Sequence, residues 1–248
     1  MIKFKIVIPC YNCEKWIGTT IDSIAGQDYE DFECLIIDDI STDKTTSVVM
    51  DKILDDKRFS LRANTEKKYA LKNLYDGFAH LSQDDEDVLI TVDGDDWLYD
   101  EKVLERLNQI YTTENCLITY GSFIEHPSGA THAYYLTPYD NYIINNNLFR
   151  NAPWKASHLR TFKRKLWNSI KKEDFIDSET SEFYEVAWDL AFMYPMLEMA
   201  GNRSRHVVDY MYVYNKENPL SDMYIKEKQQ LAAAVQIKNK PKYSRKEF

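Results

Sequence analysis

The sequence lacks the features of a membrane-spanning protein, a secreted protein and a nucleic-acid-binding protein. It contains no run of 18 apolar residues, so no membrane-spanning helix is predicted. Residues 1–9 enter strand-like sequence without the apolar stretch and cleavage site of a signal peptide, so a cytoplasmic location is expected. The net charge of −9 argues against binding to nucleic acid.

Cysteine and histidine are scarce, and their spacing does not suit a metal site. Cys10 and Cys13 have Cys-x-x-Cys spacing, but Cys34 and Cys116 stand alone. No second Cys-x-x-Cys and no pair of histidines accompanies the first motif. We therefore expect the four thiols to be reduced and structural.

The composition is that of one globular domain with a basic end. Hydrophobic residues make up 44% of the 248 residues and charged residues 29%, which suits a buried core and a polar surface. Residues 226–248 hold seven Lys or Arg and two Glu, a net charge of +5 against −14 for the rest. We expect a solvated, fraying tail there. The alternatives are peripheral contact with an anionic membrane and the place where a longer chain was cut.

Strand and helix patterns alternate over the first 120 residues. Hydrophobic periodicity predicts strands at 4–9, 32–37, 59–62, 87–92 and 116–120, and helices at 14–27, 41–54, 69–81 and 101–111. This order predicts an α/β protein with a mostly parallel sheet and helices on both faces. Beyond residue 122 the pattern fades. A helix over 183–200, a strand pair or extended segment over 207–214 and a helix over 225–237 follow it.

Three polar clusters follow the carboxyl ends of predicted strands: Pro9-Cys-Tyr-Asn, Asp38-Asp-Ile-Ser and Asp93-Gly-Asp-Asp. Parallel sheets bind ligands outside this edge, so we expect the clusters to meet there. In the last cluster Asp93, Asp95 and Asp96 suit a hard divalent cation, Mn²⁺ or Mg²⁺, that carries a diphosphate. The alternative is an acidic turn that caps the following helix.

Four ordered motifs resemble those of the inverting family 2 glycosyltransferases of GT-A fold. They are Ile6-Val-Ile-Pro-Cys-Tyr-Asn, Ser23-Ile-x-x-Gln-x-Tyr-x-Asp-Phe-Glu, Ile36-Ile-Asp-Asp-Ile-Ser-Thr-Asp and Val92-Asp-Gly-Asp-Asp. The resemblance is strongest in the first 110 residues. It implies a GT-A domain over 1–215, with a nucleotide-binding half at 1–121 and an acceptor-binding half at 122–215. A flap and a basic helix or tail would follow at 216–248.

The resemblance implies metal-dependent transfer of a sugar, with inversion, from a nucleotide diphosphate donor to a hydroxyl of a glycan or glycoconjugate. The expected donor is a UDP-sugar, and the enzyme would be a hexosyl- or deoxyhexosyltransferase. Pro9 and Tyr11 correspond to the nucleobase platform, where Tyr11 would stack on the base, and Asn12 is expected to bind the nucleotide-sugar beside them. Asp39 would accept the uracil imide N–H. Asp38 is also expected to bind the nucleotide-sugar, with a structural or helix-capping carboxylate as the alternative. For Tyr11 the alternative is a packed aromatic at a strand end.

The resemblance also assigns roles around the diphosphate. Asp93 corresponds to the carboxylate near the ribose, and Asp95 to the direct metal ligand. Gly94 would let the backbone approach the ligand, and Asp96 would support the site or cap a helix. Lys68 and Lys72 are expected near the diphosphate or the donor sugar. The alternative is that both are solvated lysines on the surface of a helix.

Asp189 is the predicted general base. It corresponds to the Asp of the family's Glu-Asp pair, whose Glu is replaced here by Trp188. A carboxylate on so apolar a helix is costly to bury without a purpose, and a base is needed to deprotonate the acceptor hydroxyl. The alternatives are a cap carboxylate at Asp189 and a base at Glu185. Trp154 and His158 are expected to contact the acceptor, with core packing as the alternative for Trp154.

Two other functions fit parts of the pattern. A nucleotidyltransferase shares the architecture, but Pro9-Cys-Tyr-Asn-Cys lacks the glycine-rich basic phosphate loop that such enzymes carry after the first strand. A non-catalytic nucleotide- or glycan-binding module would keep Asp39 and Asp95 and need no base at position 189. Residues 215–223 are predicted to form a mobile flap, with an ordinary loop as the alternative.

Overall fold

The structure, a computed structural model, describes residues 1–220 and 226–248. Its strands are β1 (Phe4–Cys10), β2 (Phe32–Asp38), β3 (Phe59–Ala63), β4 (Val88–Thr91), β5 (Trp97–Leu98), β6 (Ile118–His126), β7 (Arg160–Lys163) and β8 (Ser204–Asn215). Its α-helices are α1 (Ile17–Ala25), α2 (Thr45–Ile53), α3 (Tyr69–Leu81), α4 (Val103–Thr113), α5 (Asn141–Asn145), α6 (Arg164–Trp167), α7 (Trp188–Ala200) and α8 (Glu227–Asn239).

In the described residues, eight strands form one sheet in the order β3-β2-β1-β4-β7-β6-β8-β5. The first four strands of this order are parallel. Strand β7 is antiparallel to both of its neighbours, β4 and β6, while β6 and β8 are parallel. The predicted α/β class and its parallel half are confirmed. Strand β7 corresponds to no predicted element.

Helices cover both faces of the sheet, as the apolar periodicity predicts. All seven residues of β1 are buried, which is typical of a parallel strand covered on both sides. One core packs α1 and α4 on the sheet, and the other packs α3 and α7. In helix α1, for example, Ile17, Ile21 and Ile24 recur at helical spacing, and all three are buried against the sheet.

Several predicted elements differ in extent from those observed, among them two in the second half of the chain. The predicted helix over 183–200 begins at Trp188, because Ala187 adopts a left-handed backbone with φ 49° that cannot continue a helix. The extended segment over 207–214 is one long strand, β8. The predicted flap over 215–223 includes residues 221–223, which lie outside the described residues.

The basic end is anchored, so the expectation of a fraying tail is wrong. Helix α8 buries Ala233 and Ile237 in the core. The backbone N–H of Tyr243 donates to Glu198 at 3.0 Å. Glu198 also forms a buried ion pair with Arg150, whose Nη1 donates to the carbonyl of Ile237 at 2.6 Å. Among the helices that the structure describes, none has the length and apolar character needed to cross a membrane.

Candidate active site

A cavity of about 890 Å³ opens at the carboxyl ends of β1, β2 and β4. The parallel register explains the meeting of these ends, because Cys10 lies opposite Asp38 and β4 pairs with β1 on its other side. The cavity brings together many residues that the sequence predicts for the site. They are Pro9, Tyr11, Asp39, Asp93, Gly94, Asp95, Trp154, His158, Glu185 and Asp189.

Gly94 packs against the end of β1. A Cβ atom at this position would lie 2.5 Å from Cys10 Cβ and 3.2 Å from Cys13 Sγ. The predicted reason for this glycine is close approach to a ligand, but the structure shows a close approach to the first strand. Gly94 therefore sets how near the acidic cluster lies to the loop that carries Tyr11.

Asp93, Asp96 and His158 each offer a ligand atom, and these atoms lie within 4.8 Å of one another. Asp96 is fully buried, and its Oδ1 accepts the backbone N–H of Asn215 at 2.8 Å. Burial raises the pKa of Asp96 well above its usual range, and the nearby charges of Asp95 and Asp93 raise it further. A cation beside Asp96 would relieve this unfavourable burial of negative charge.

His158 lies at the same cluster and is held between aromatic rings. Its ring stacks on Tyr212 with centroids 4.6 Å apart and planes at 8°. Burial and then the charge of Arg160 lower the pKa of His158 well below its usual range, so the imidazole is neutral. Neutral imidazole is the form that binds metals. His158 is predicted as an acceptor contact, and the structure places it beside Asp93 and Asp96.

Asp95 and Trp154 also line the cavity. Oδ2 of Asp95 accepts a hydrogen bond from Asn218 Nδ2 at 2.6 Å, which connects the acidic cluster to the segment after β8. The ring of Trp154 packs edge-on against Tyr194 with centroids 5.1 Å apart. Trp154 thus contacts both the core and the cavity.

Asp39 organises the loop before α3. Its Oδ1 accepts from Asn64 Nδ2 at 2.8 Å and from the N–H of Lys68 at 2.9 Å, and its Oδ2 accepts from the N–H of Tyr69 at 2.8 Å. Burial alone would raise the pKa of Asp39, but these hydrogen bonds outweigh it and the pKa is lowered. Ile40 and Tyr69 have left-handed φ values of 65° and 60°. Such strain beside a buried carboxylate is typical of functional sites.

Tyr11 presents its ring at the mouth of the cavity, where 42% of the residue is exposed. Lys67 covers this ring, with Nζ 3.0 Å from the ring centroid and 3.4 Å from Asp39 Oδ2. Sequence reasoning missed Lys67. The sequence shows two adjacent lysines at 67 and 68, but which of them points into the cavity depends on the conformation of the turn that carries them.

Lys68 and Lys72 lie outside this cavity. Nζ of Lys68 is 3.7 Å from Asp76 Oδ2, and Nζ of Lys72 pairs with Asp76 Oδ1 on the same helix. These contacts match the alternative of helix lysines at the protein surface. The cationic side chains that line the cavity are Lys67, Arg160, Lys226 and Lys238.

Asn12 and Asp38 join loops beneath the cavity. The N–H of Asn12 donates to Ser41 Oγ at 2.9 Å, and its Oδ1 accepts from the N–H of Thr42 at 2.8 Å. Asp38 Oδ2 accepts from the N–H of Ser41 at 3.2 Å. Both side chains therefore connect the loop after β1 or β2 to the segment that precedes α2.

Asp189 lies in the first turn of α7 and forms an ion pair with a buried arginine. Its Oδ2 accepts from Arg160 Nη2 at 2.8 Å, with side-chain exposures of 20% for Asp189 and 6% for Arg160. Arg160 was not predicted as a site residue. Glu185, the other candidate base, lies 3.5 Å from Lys226 Nζ.

Helix α8 forms one wall of the cavity, a role that was not predicted. Five of its residues share one stripe at spacings of three or four and line the cavity: Glu227, Gln230, Leu231, Ala234 and Lys238. Anchoring of the chain end by Glu198 places this stripe. The cavity thus continues beyond Asp189 along the C-terminal helix.

The model of glycosyl transferase family 2 matches residues 5–170. A curated relative, the poly(ribitol-phosphate) beta-N-acetylglucosaminyltransferase TarS of Staphylococcus aureus, is 43% identical over 51 residues, which are 20% of this chain and 9% of TarS. An uncharacterized glycosyltransferase of Haemophilus influenzae is 30% identical over 121 residues, 48% of this chain and 46% of that protein. The matched part therefore spans less than half the length of either relative.

Solved structures share the fold at low sequence identity. The crystal structure of S. aureus TarS 1–349 in complex with UDP-GlcNAc has a TM-score of 0.69 at 17% identity, covering 95% of this chain and 65% of that one. The mannosyltransferase PcManGT of Pyrobaculum calidifontis, in complex with GDP-Man and Mn²⁺, has a TM-score of 0.64 at 17% identity, covering 97% and 66%. The predicted GT-A fold is confirmed.

Proposed function

Since the chain belongs to glycosyl transferase family 2, we propose that it transfers a sugar from a nucleotide diphosphate donor to an acceptor hydroxyl. One observation carries this proposal. The acidic cluster of Asp93, Asp95 and Asp96 shares one cavity with Asp189, a carboxylate from a different part of the chain. A leaving group on one side and a base on the other are what displacement at a sugar carbon requires. Family membership also argues against the nucleotidyltransferase alternative.

The donor is proposed to be a UDP-sugar that lies along the strand ends. The exposed ring of Tyr11 offers a stacking face for the base once Lys67 moves aside. Asp39 would hold this platform together and accept the uracil imide N–H. The structure of TarS with UDP-GlcNAc supports a uridine donor, whereas that of PcManGT with GDP-Man shows that this fold also accepts guanosine.

The residues present fit a divalent cation, proposed to be Mn²⁺ or Mg²⁺. Carboxylate oxygens and a neutral imidazole are a suitable donor set. Burial, and then the charges of Asp95 and Asp93, raise the pKa of Asp96, so a cation beside it would favour its ionised form. Asp93 would hold the ion together with Asp96 and His158, or with Asp95 as the sequence predicts. When bound, the cation would offset the charge of the departing diphosphate.

Asp189 is the proposed general base. It would take the proton of the acceptor hydroxyl while that oxygen bonds to the anomeric carbon and the bond from this carbon to the diphosphate breaks. Attack from the face opposite the diphosphate inverts the anomeric centre. The acceptor is proposed to be a glycan or glycoconjugate, whose sugar rings would pack against Trp154 and the stripe of α8.

Release of nucleotide from a panel of UDP-, GDP- and CDP-sugars, with Mn²⁺ or with EDTA, tests the proposal. Water replaces the acceptor, so the acceptor need not be known. We expect turnover of a UDP-sugar that EDTA abolishes, and tighter binding of UDP than of GDP in calorimetry. Tighter binding of GDP would overturn the uridine assignment.

Asp189→Asn is expected to lower kcat by about 10²–10⁴-fold with little change in UDP affinity. Glu185→Gln is the matched control, because Glu185 also lines the cavity but pairs with Lys226. Wild-type kcat in Asp189→Asn would eliminate Asp189 as the base. If Glu185→Gln instead loses kcat, Glu185 is the base.

A further inference from the structure

A buried arginine connects the acidic cluster to the proposed base. Arg160 is the first residue of β7, and the antiparallel register places it opposite Thr91, the last residue of β4. Asp93 follows Thr91 by two positions. Pairing of β7 with β4 therefore brings Arg160 to the same edge of the sheet as the acidic cluster.

The guanidinium of Arg160 is held on several sides. Its Nη2 donates to Asp189 Oδ2 at 2.8 Å, and its Nε donates to the carbonyl of Ala156 at 3.4 Å. Nη1 and Nη2 also lie 3.3 and 3.4 Å from the two ring nitrogens of His158. With His158 itself stacked on Tyr212, the guanidinium has little freedom to move.

Within the described part of the chain, this arrangement engages one oxygen of Asp189 and leaves the other without a hydrogen bond. Among the hydrogen bonds of residues 1–220 and 226–248, Oδ2 accepts from Arg160, and none reaches Oδ1. The side chain of Asp189 lines the cavity and is partly exposed. A general base needs one oxygen aligned with the hydroxyl that it deprotonates, and small misplacements are costly.

We propose that Arg160 is a positioning residue that holds Asp189 through Oδ2 and so presents Oδ1 to the acceptor hydroxyl. The inference rests on the proposed function, with Asp189 as the base. It requires a planar guanidinium, because a lysine ammonium cannot reproduce the contacts of its several nitrogens at once. Arg160 itself touches no reacting atom in this scheme.

The test compares Arg160→Met and Arg160→Lys with the wild type in the nucleotide-release assay. A misplaced base predicts a fall in kcat of about 10²-fold for Arg160→Met, with UDP affinity nearly unchanged. Arg160→Lys is expected to lie between Arg160→Met and the wild type. In Arg160→Ala, whose short side chain leaves room for the ion, free guanidinium at a non-denaturing concentration is expected to restore part of the lost kcat, which a purely structural defect would not allow.

Arg164→Ala is the matched control. Arg164 lies four positions away and forms an ion pair with Asp85 at 2.8 Å, and this pair is more exposed to solvent than that of Arg160 and Asp189. The kcat of Arg164→Ala is therefore expected to equal that of the wild type. Wild-type kcat in Arg160→Met, or a loss confined to UDP affinity, would overturn the inference. If Arg160→Met does not fold, wild-type kcat in Arg160→Lys would overturn it.

Failure of the inference is distinguishable from failure of the proposed function. A wild-type protein that turns over no nucleotide-sugar overturns both. An active wild type with an equally active Arg160→Met overturns only the role of Arg160 and leaves Asp189 as the proposed base.

Discussion

Asp96→Asn is expected to make the metal-free protein more stable at neutral pH. The substitution keeps the Oδ1 that accepts from Asn215 and removes the group that ionises. Because the folded-state pKa of Asp96 is raised above its ordinary value of 3.8, the folded protein holds a proton that the unfolded chain has released. Wild-type stability therefore falls as pH rises from that ordinary value through the folded-state pKa.

The expected gain for Asp96→Asn is about 0.5–2 kcal/mol, the usual range for a single stabilising substitution. For a chain of this size each kcal/mol shifts Tm by about 2–4 °C. Thermal denaturation in EDTA between pH 4 and pH 8 measures the effect. The advantage over wild type is expected to grow as pH rises. A variant that is less stable than wild type in EDTA at neutral pH would refute the reasoning.

A divalent cation is expected to reverse the order of stability. Mn²⁺ at 100 times its Kd would stabilise the wild type by about 2.7 kcal/mol, which corresponds to roughly 5–11 °C in Tm. If Asp96 binds the ion with Asp93 and His158, Asp96→Asn loses most of this shift. Asp95→Asn is the comparison, because Asp95 is the metal ligand that the sequence predicts. If Asp95→Asn loses the Mn²⁺-induced rise in Tm and Asp96→Asn keeps it, Asp93 and Asp95 are the favoured metal ligands.

Two further predictions concern stability. Arg150→Met is expected to cost about 3–5 kcal/mol in chemical denaturation, because the charge of Glu198 is left buried. Adding Glu198→Leu is expected to recover much of this loss, and a double variant as unstable as the single one would contradict that. Gly94→Ala is expected to cost about 1–3 kcal/mol because its Cβ would meet Cys10. Gly18→Ala in α1, where the nearest atom is the flexible end of Lys52 at 3.4 Å, is expected to gain about 0.5–1 kcal/mol. Thermal denaturation of both glycine variants checks this order.

Local patterns in the sequence predict the first half of the fold and much of one side of the site. Strands β1 to β4 and helices α1 to α4 follow from apolar periodicity, which is a property of neighbouring residues. Since parallel strands place their carboxyl ends at one edge, the strand pattern alone is enough to expect Tyr11, Asp39 and Asp93 at a common cavity.

Local patterns do not predict which side chains of a turn face that cavity. Lys67 lies over Tyr11, whereas Lys68 and Lys72 turn towards Asp76, although all three are lysines in one short segment. The left-handed backbone at Tyr69 and the hydrogen bonds that the N–H groups of Lys68 and Tyr69 donate to Asp39 determine this choice. Both depend on the docking of β2 against α3.

Apolar periodicity is a property of neighbouring residues, and it is sufficient to predict an α/β protein with the acidic cluster at the carboxyl end of a strand. The way in which the second half of the chain completes the site depends on tertiary contacts. Strand β7 is buried although three of its four residues, Arg160, Thr161 and Lys163, are polar. Because most of its residues are polar, β7 has no apolar run from which a strand could be predicted. That pairing places Arg160 between His158 and Asp189, and the anchored end places α8 along the cavity. The pairing of β7 with β4 and the anchoring of the chain end both depend on contacts between residues distant in sequence, and hydrophobic periodicity cannot predict such contacts.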